Sequence, residues 1–264
     1  MLNFRSNRIT YNMVSTDTKI KTDKLLAYSL MWLGSAIALI AILSFAIISS
    51  PRLFKLYLDI VGIGGKKLDI RLIIIFIVTI VLNIGIFFFI SKTALKQKPH
   101  TAVLATLYFI LILSNSIFLP FVFAQYIARG QAANILIAFF ATGGITIFMG
   151  LLGYYKIINF GKLVPLLILG IVVEVIIGIT SLFVFNSLLT TIYLALGFGI
   201  SVLMIGYQFW QIRNQGSYIL ANYADDENLN RIMLRLSILY GINLFFATIR
   251  IFLATLRYLD LLKK

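Results

Sequence analysis

Seven long runs of apolar residues, separated by short polar segments, dominate the pattern along the chain. A helix of about 20 residues spans the ~30 Å hydrocarbon core of a bilayer, and each run is close to that length. Strand-like alternation is almost absent, and open sheet edges cannot face lipid. We therefore predict an all-α membrane protein, a bundle of seven transmembrane helices. The predicted spans are 25–48, 72–90, 102–121, 135–155, 164–185, 191–212 and 232–256.

The last run differs from the others because it carries Arg235, Asn243 and Arg250 among its apolar residues. Polar side chains are costly in a bilayer, so they usually face the interior of a bundle or a water-filled cavity. We therefore predict that the last helix is central. Residues 1–24 form a basic N-terminal tail, and residues 25–258 are predicted to form a single transmembrane domain.

Glu174 is the one acidic residue well inside a predicted span. It lies about 15 Å from the start of its helix, near the middle of the membrane. Gly170 and Gly178 stand four residues before and after it, where small residues let another helix approach closely. Two interpretations remain open. The carboxylate lines a path for protons or cations, or it is a protonated or hydrogen-bonded group within a helix interface.

Counting residues along the predicted helices gives each arginine of the last span a depth. Arg250 is placed about 12 Å nearer the outside than Glu174, and Arg235 about 10 Å nearer the inside. Neither arginine is therefore expected to pair with Glu174 unless the helices tilt or shift. We expect the two arginines to flank the middle of the membrane or to snorkel to its interfaces.

Asparagines, rather than the arginines, are placed at the depth of Glu174. Asn83 and Asn243 are placed level with Glu174, and Asn115 lies a little further out. We predict a polar layer of Glu174, Asn83 and Asn243 at the midplane. For Asn83 and Asn115, a hydrogen bond between helices is favoured over contact with a ligand.

The connection after the first span, residues 51–71, has the pattern of an amphipathic helix. Pro51 suits a first helical turn, and Gly62, Gly64 and Gly65 would end the helix. We expect this helix to lie on the membrane surface, and an irregular loop is the alternative. The apolar face would consist of Leu53, Phe54, Leu56, Tyr57 and Ile60.

Composition supports a membrane protein and excludes several kinds of site. Of the 264 residues, 61% are hydrophobic and 12% are charged, whereas a soluble domain has about a quarter charged. The chain has no cysteine and one histidine, His100, so thiol chemistry and a multi-histidine metal site are excluded. No nucleophile–histidine–acid set and no phosphate-binding loop is present. We expect no enzyme activity, no catalytic residue, no metal site and no cofactor.

The net charge of +14 comes mainly from lysines and arginines between the apolar runs. In those positions they suit anionic lipid head groups, and we expect no binding of nucleic acid. With the N-terminus inside, the inner segments hold 12 of these residues and the outer segments 9. The bias places the N-terminus in the cytoplasm. A composition rich in lysine and isoleucine without cysteine suits a bacterial plasma membrane.

Short motifs resemble the Bax inhibitor-1 family, the transmembrane Bax-inhibitor-motif proteins. Asn243-Leu244-Phe245 followed by Arg250 is similar to the NLF…LR pattern of the family's last core helix. The other matches are looser and follow the order of the spans. They are Tyr28 with Gly34, Ala138-Phe139 with Thr142, Gly153-Tyr154-Tyr155, Phe183 with Ser181 where the family has asparagine, and Tyr207.

The resemblance implies seven helices wrapped around a central last helix. It also implies calcium leak across a membrane, controlled by a pH-sensitive pair of aspartates. This sequence departs from the family at both positions, where Gln208 and Tyr240 stand. Glutamine does not titrate and tyrosine has a reference pKa of ~10, so neither can sense pH near neutrality.

Three functions remain open from the sequence. The first is a Bax inhibitor-1-like protein that permits or regulates the flux of calcium or protons, with Glu174 as its remaining acid. The second is a membrane protein that binds an unknown protein partner or serves a stress response without transport. The third, a secondary transporter, is disfavoured because Pro120 and Pro165 lie near span ends and no internal repeat is evident.

Overall fold

The computed structural model of the chain describes residues 4–62, 70–94, 100–183, 187–223 and 229–261. These residues form nine α-helices and one 3-10 helix, Phe160–Leu163. Gly64 and Gly65 lie outside the described residues. In chain order the helices are α1 Phe4–Ser49, α2 Pro51–Val61, α3 Ile70–Thr93, α4 Thr101–Ser116, α5 Leu119–Ala128, α6 Ala132–Tyr154, α7 Val164–Phe183, α8 Ser187–Tyr223 and α9 Leu229–Leu261.

Seven stretches of the described chain are long and apolar enough to cross a membrane. Each coincides with one predicted span, so the prediction of an all-α, seven-span bundle is confirmed. Helix α1 begins at Phe4, and the basic N-terminal segment therefore continues into the first span as helix. We call the side on which that span begins the inner side. Helices α8 and α9 are longer than the spans predicted within them.

Helix α9 is the central helix of the bundle. In its most apolar window 67% of the residues are buried, compared with 11–39% in the other spans. It packs against α1, α4, α6 and α8. Because neighbours surround it, apolar residues occupy most of its circumference, which is the pattern of a buried helix. The predicted place of the last helix is thus confirmed.

The third span is broken near its outer end. Helix α4 ends at Ser116, and α5 begins at Leu119 with Pro120 in its first turn. Proline lacks an N–H donor and clashes with the preceding turn, so a continuous helix cannot pass through this position. The predicted span, 102–121, is shorter than the candidate span, which continues past Pro120 to Ala128. One broken span does not supply the pair of broken helices that is typical of secondary transporters.

Helix α2 forms where the amphipathic pattern predicted it. Pro51 occupies its first turn, the side chain of Ser50 caps it, and Gly62 ends it with a φ of +76°. A left-handed backbone conformation of this kind favours glycine.

Tyr57 connects helix α2 to the bundle, because its hydroxyl donates a hydrogen bond to the carbonyl of Ile117 at 2.6 Å. Burial raises the pKa of Tyr57 to about 12, so the hydroxyl stays a donor at neutral pH.

Helices α6 and α8 cross at glycines. A Cβ added at Gly153 would overlap the backbone carbonyl of Gly206, so the two backbones touch at this point. One turn earlier on α6, Gly150 faces the ring of Phe209. Close backbone contact at small residues is a common way for helices to associate in lipid. Apolar side chains gain little free energy there by exchanging contacts with lipid for contacts with another helix.

We expect the Gly153→Ala substitution to lower stability by about 1–3 kcal/mol, because the new methyl meets backbone that cannot rotate away. Gly144→Ala on the same helix is the matched control, since a Cβ there meets open space. The measurement is thermal unfolding of both variants in one detergent. Equal melting temperatures would show that the crossing is not as close as described.

Candidate functional site

Helix α7 presents Gly170, Glu174 and Gly178 to α8. A Cβ at Gly170 would lie 3.1 Å from the side chain of Ile200, and one at Gly178 would lie 3.2 Å from the ring of Tyr193. The two glycines thus mark a close contact between helices, as their spacing predicted. Glu174, one turn from each of them, is held in this contact and is only 4% exposed.

Glu174 forms an ion pair with Arg250 of α9, between the Arg250 guanidinium and Oε1 of the carboxylate. Gly197 of α8 lies against both members of the ion pair. A Cβ at Gly197 would lie 2.8 Å from Glu174 Oε1 and 3.2 Å from the Arg250 guanidinium. Three helices therefore meet at one charged pair, and the absence of a side chain at Gly197 provides the space for it.

The two charges differ in their surroundings. The Glu174 side chain is 6% exposed, whereas 44% of the Arg250 side chain is exposed. Around a group that lies within a membrane span, little water is present to weaken the attraction. The carboxylate therefore depends on Arg250 for its charge compensation more than the arginine depends on the carboxylate.

The prediction that Arg250 lies too far out to pair with Glu174 is wrong, because depth was counted from the inner ends of the spans. Helix α9 has 33 residues and is thus about 50 Å long, more than the ~30 Å of hydrocarbon. Counted from the outer ends of their helices, Glu174 lies about 14 Å and Arg250 about 17 Å deep. Helix α9 extends beyond α7 on the inner side, and the two residues are level.

Asn83, which was placed in the predicted midplane layer with Glu174, pairs with Asn115, and the layer itself stays a prediction. Asn83 and Asn115 bond each other through their amides, with Asn115 donating to Asn83 at 2.9 Å. Ser114 donates to the same oxygen of Asn83 at 3.2 Å. This is the bond between helices that the sequence favoured for the two asparagines. Asn243 is partly buried on α9, about 10 Å along the axis from Arg250.

Arg235 is buried rather than directed to the membrane surface. It is 5% exposed, and its Nε donates to the hydroxyl of Thr101 at 3.4 Å. Thr101 is the first residue of α4, so Arg235 lies near the inner end of the third span. Arg250 is held by Glu174, and Arg235 is held against the start of α4.

The two positions at which the family has aspartates are buried in the inner half of the bundle. Gln208 is 3% exposed, and its Oε1 has no hydrogen-bond partner among the described residues. Tyr240 is also 3% exposed. Gln208 stands about 16 Å along α8 from Gly197, and Tyr240 about 15 Å along α9 from Arg250. The charged pair of this chain is thus distinct from these positions and lies nearer the outer side.

The sequence did not predict the polar contacts that lie at both ends of the bundle. On the inner side, Tyr154 donates its hydroxyl to Asp23, and Arg213 stacks over the Tyr154 ring at 5.2 Å. On the outer side, Arg129 and Asp260 lie 3.7 Å apart. All of these residues stand at span ends, where charge is ordinary, so no sequence signal separated them from solvated residues.

Comparison with known families agrees with this architecture. The family model described as Inhibitor of apoptosis-promoting Bax1 matches residues 23–264, nearly the whole chain. The chain belongs to this family. A comparison with curated proteins gives no match. Membership in the Bax inhibitor-1 family, which the motif around Asn243 and Arg250 predicted, is therefore established together with the fold.

Within this Bax inhibitor-1 family member, the motif of the last helix acquires a structural role. Arg250, the arginine that follows Asn243-Leu244-Phe245, supplies the positive charge of the ion pair. The acid comes from α7, and the space comes from Gly197 on α8. The site is therefore a charge contact that connects the central helix to two outer helices.

Proposed function

We propose that this protein permits and regulates the flux of cations, calcium or protons, across its membrane. The Glu174–Arg250 pair is proposed to be the contact that holds the path closed. The observation that carries the proposal is a deeply buried carboxylate whose counter-charge sits on the central helix. Ionisable groups within a span mark ion pathways more often than they serve packing alone.

The paired state supports a latch rather than a resident cation site. Arg250 already neutralises Glu174 by contact with its Oε1. A cation would have to displace the guanidinium before it could bind. Neutralising or releasing Glu174 would instead separate α7 from α9 and free the oxygens. A single carboxylate is too few ligands for tight calcium binding, which favours a latch over a resident calcium site at Glu174.

Reconstitution into liposomes that contain calcium-sensitive or proton-sensitive dyes tests the proposal. We expect the protein to conduct above empty liposomes, and Glu174→Gln to raise the flux severalfold because the amide no longer holds Arg250 as an ion pair. Asp260→Asn is the matched control, since it removes one acid from the ion pair at the outer end.

No flux above empty liposomes from wild type or Glu174→Gln, at any value between about pH 5 and 8, would overturn the proposal. Co-purification of one stoichiometric protein partner, together with a harmless Glu174→Gln substitution, would favour a partner-binding or stress-response protein instead. The expectation that the chain is not an enzyme stays a prediction.

We further propose that the inner side faces the cytoplasm of a bacterium. The excess of lysine and arginine in the inner segments supports this orientation. The chain has no cysteine, so single cysteines can be placed at will. With intact cells, an impermeant maleimide should label a Leu261→Cys variant and leave His100→Cys unlabelled. The reverse labelling would show that the outer side, and not the inner side, faces the cytoplasm.

A further inference from the structure

Helix α9 is the central helix, yet its outer part has one exposed face. From Ile232 to Ile249 no residue of α9 is exposed. The exposed residues beyond that stretch are Arg250, Leu253, Arg257 and Leu261. Residues three or four positions apart lie on the same side of a helix, so the four side chains form one stripe. We call this stripe the exposed α9 face.

Two arginines give the exposed α9 face its charge. Arg250 is paired with Glu174, and Arg129 at the outer end of the bundle is paired with Asp260. The guanidinium of Arg257 makes no ion pair and no hydrogen bond with another residue in the part of the chain that the structure describes. One positive charge on this face is therefore not balanced by the described residues around it.

Arg250 adds hydrogen-bond donors to the same face. A guanidinium carries more N–H groups than one carboxylate can accept, even in a bidentate pair. The Arg250 side chain is 44% exposed, so its remaining donors can reach a molecule outside the bundle. It lies about 10 Å further from the outer end of α9 than Arg257 does. At that depth an exposed charged group is costly unless a polar partner reaches it.

We propose that the exposed α9 face binds an anionic phospholipid from the leaflet on the outer side. Its phosphate lies on Arg257, its ester carbonyls accept hydrogen bonds from Arg250, and an acyl chain covers Leu253. Guanidinium groups suit phosphate because they donate to it in a bidentate manner. Leu253 is 39% exposed between the two arginines, and this apolar contact suits a lipid rather than free phosphate.

The net charge of the lipid follows from the balance of charges at the face. A zwitterionic head group brings an ammonium group as well as a phosphate. Glu174 and Asp260, the acids beside this face, are already paired with arginines and are not free to bind that ammonium. A singly anionic head group compensates Arg257 and brings no cation. The inference does not rest on the proposed function, because it requires no ion flux.

Native mass spectrometry of the full-length protein in detergent tests the site, with phosphatidylglycerol and phosphatidylcholine as the two probes. We expect wild type to bind phosphatidylglycerol more tightly. Arg257→Gln should weaken that binding about tenfold, the loss expected for a hydrogen bond between charged groups, and should leave phosphatidylcholine binding unchanged. Arg52→Gln is the matched control, because it removes the same charge from an exposed residue of α2 on the outer side.

Phosphatidylglycerol that carries a diazirine near the top of one acyl chain locates the site. After irradiation in nanodiscs, we expect label on α9 between Arg250 and Arg257. Arg257→Gln should lower this labelling, whereas Arg52→Gln should not.

Three results would overturn the proposal. They are equal affinity of wild type for the two lipids, equal affinity of wild type and Arg257→Gln for phosphatidylglycerol, and displacement of phosphatidylglycerol by inorganic phosphate. The last result would show that the face takes a free anion instead of a lipid.

Discussion

Replacing Arg250 with methionine is expected to destabilise the protein by about 3 kcal/mol, and replacing Glu174 with glutamine by only about 1 kcal/mol. The asymmetry follows from exposure, because the carboxylate is 6% exposed and the guanidinium 44% exposed. Without Arg250, a buried carboxylate is left with no counter-charge. Without the carboxylate, the arginine side chain can turn its head toward a more polar region.

The double variant Glu174→Gln with Arg250→Met should recover most of the stability that Arg250→Met loses, since it removes the stranded charge. Thermal unfolding of the wild type and the three variants in one detergent forms a double-mutant cycle. Arg129→Met is the matched control, because Arg129 is 53% exposed and its partner lies 3.7 Å away at the outer end. Additive losses in the cycle would mean that the two residues do not interact in the folded protein.

The spans and the central helix could be predicted from the sequence because both follow from local patterns. An apolar run of sufficient length must be a helix in lipid, and polar residues on an apolar helix place it inside the bundle. The spacing of Gly170 and Gly178 likewise predicted a close helix contact. An interhelical hydrogen bond was favoured for Asn83 and for Asn115, because a buried amide in a span needs a partner, but that they bond each other was not predicted.

The ion pair could not be predicted from residue counts. Its two members are level only because α9 is long and extends past α7 on the inner side, a property of the assembled bundle. The depths were wrong because they were counted from the predicted inner end of each span. Depths counted from the outer ends would have needed the true end of α9, which is Leu261 and lies five residues beyond the predicted end.

The break in the third span was not predicted either. The predicted span ended at residue 121, one residue after Pro120. The structure continues the span as α5 to Ala128. Similarly, nothing in the sequence separated Gly197 from the other glycines of α8, since its role depends on side chains from two other helices.

Gly197→Ala is expected to lower stability by about 1–3 kcal/mol, although alanine is the better helix former by about 1 kcal/mol. The new Cβ would lie 2.8 Å from Glu174 Oε1, which is closer than a carbon and an oxygen pack. The carboxylate or the arginine would have to move, and the ion pair would lengthen. No charge is altered by this substitution, so it tests the geometry of the pair independently of its charges.

Gly199→Ala is the matched control two residues further along α8, because a Cβ at Gly199 meets nothing within 4 Å. That variant should gain up to about 1 kcal/mol from helix propensity and leave cation flux unchanged. If the pair is the latch, Gly197→Ala should raise flux as Glu174→Gln does. Lower stability with unchanged flux would reduce the pair to a structural contact. Equal behaviour of the two alanine variants would contradict the close packing of Gly197 itself, since both glycines would then have free space.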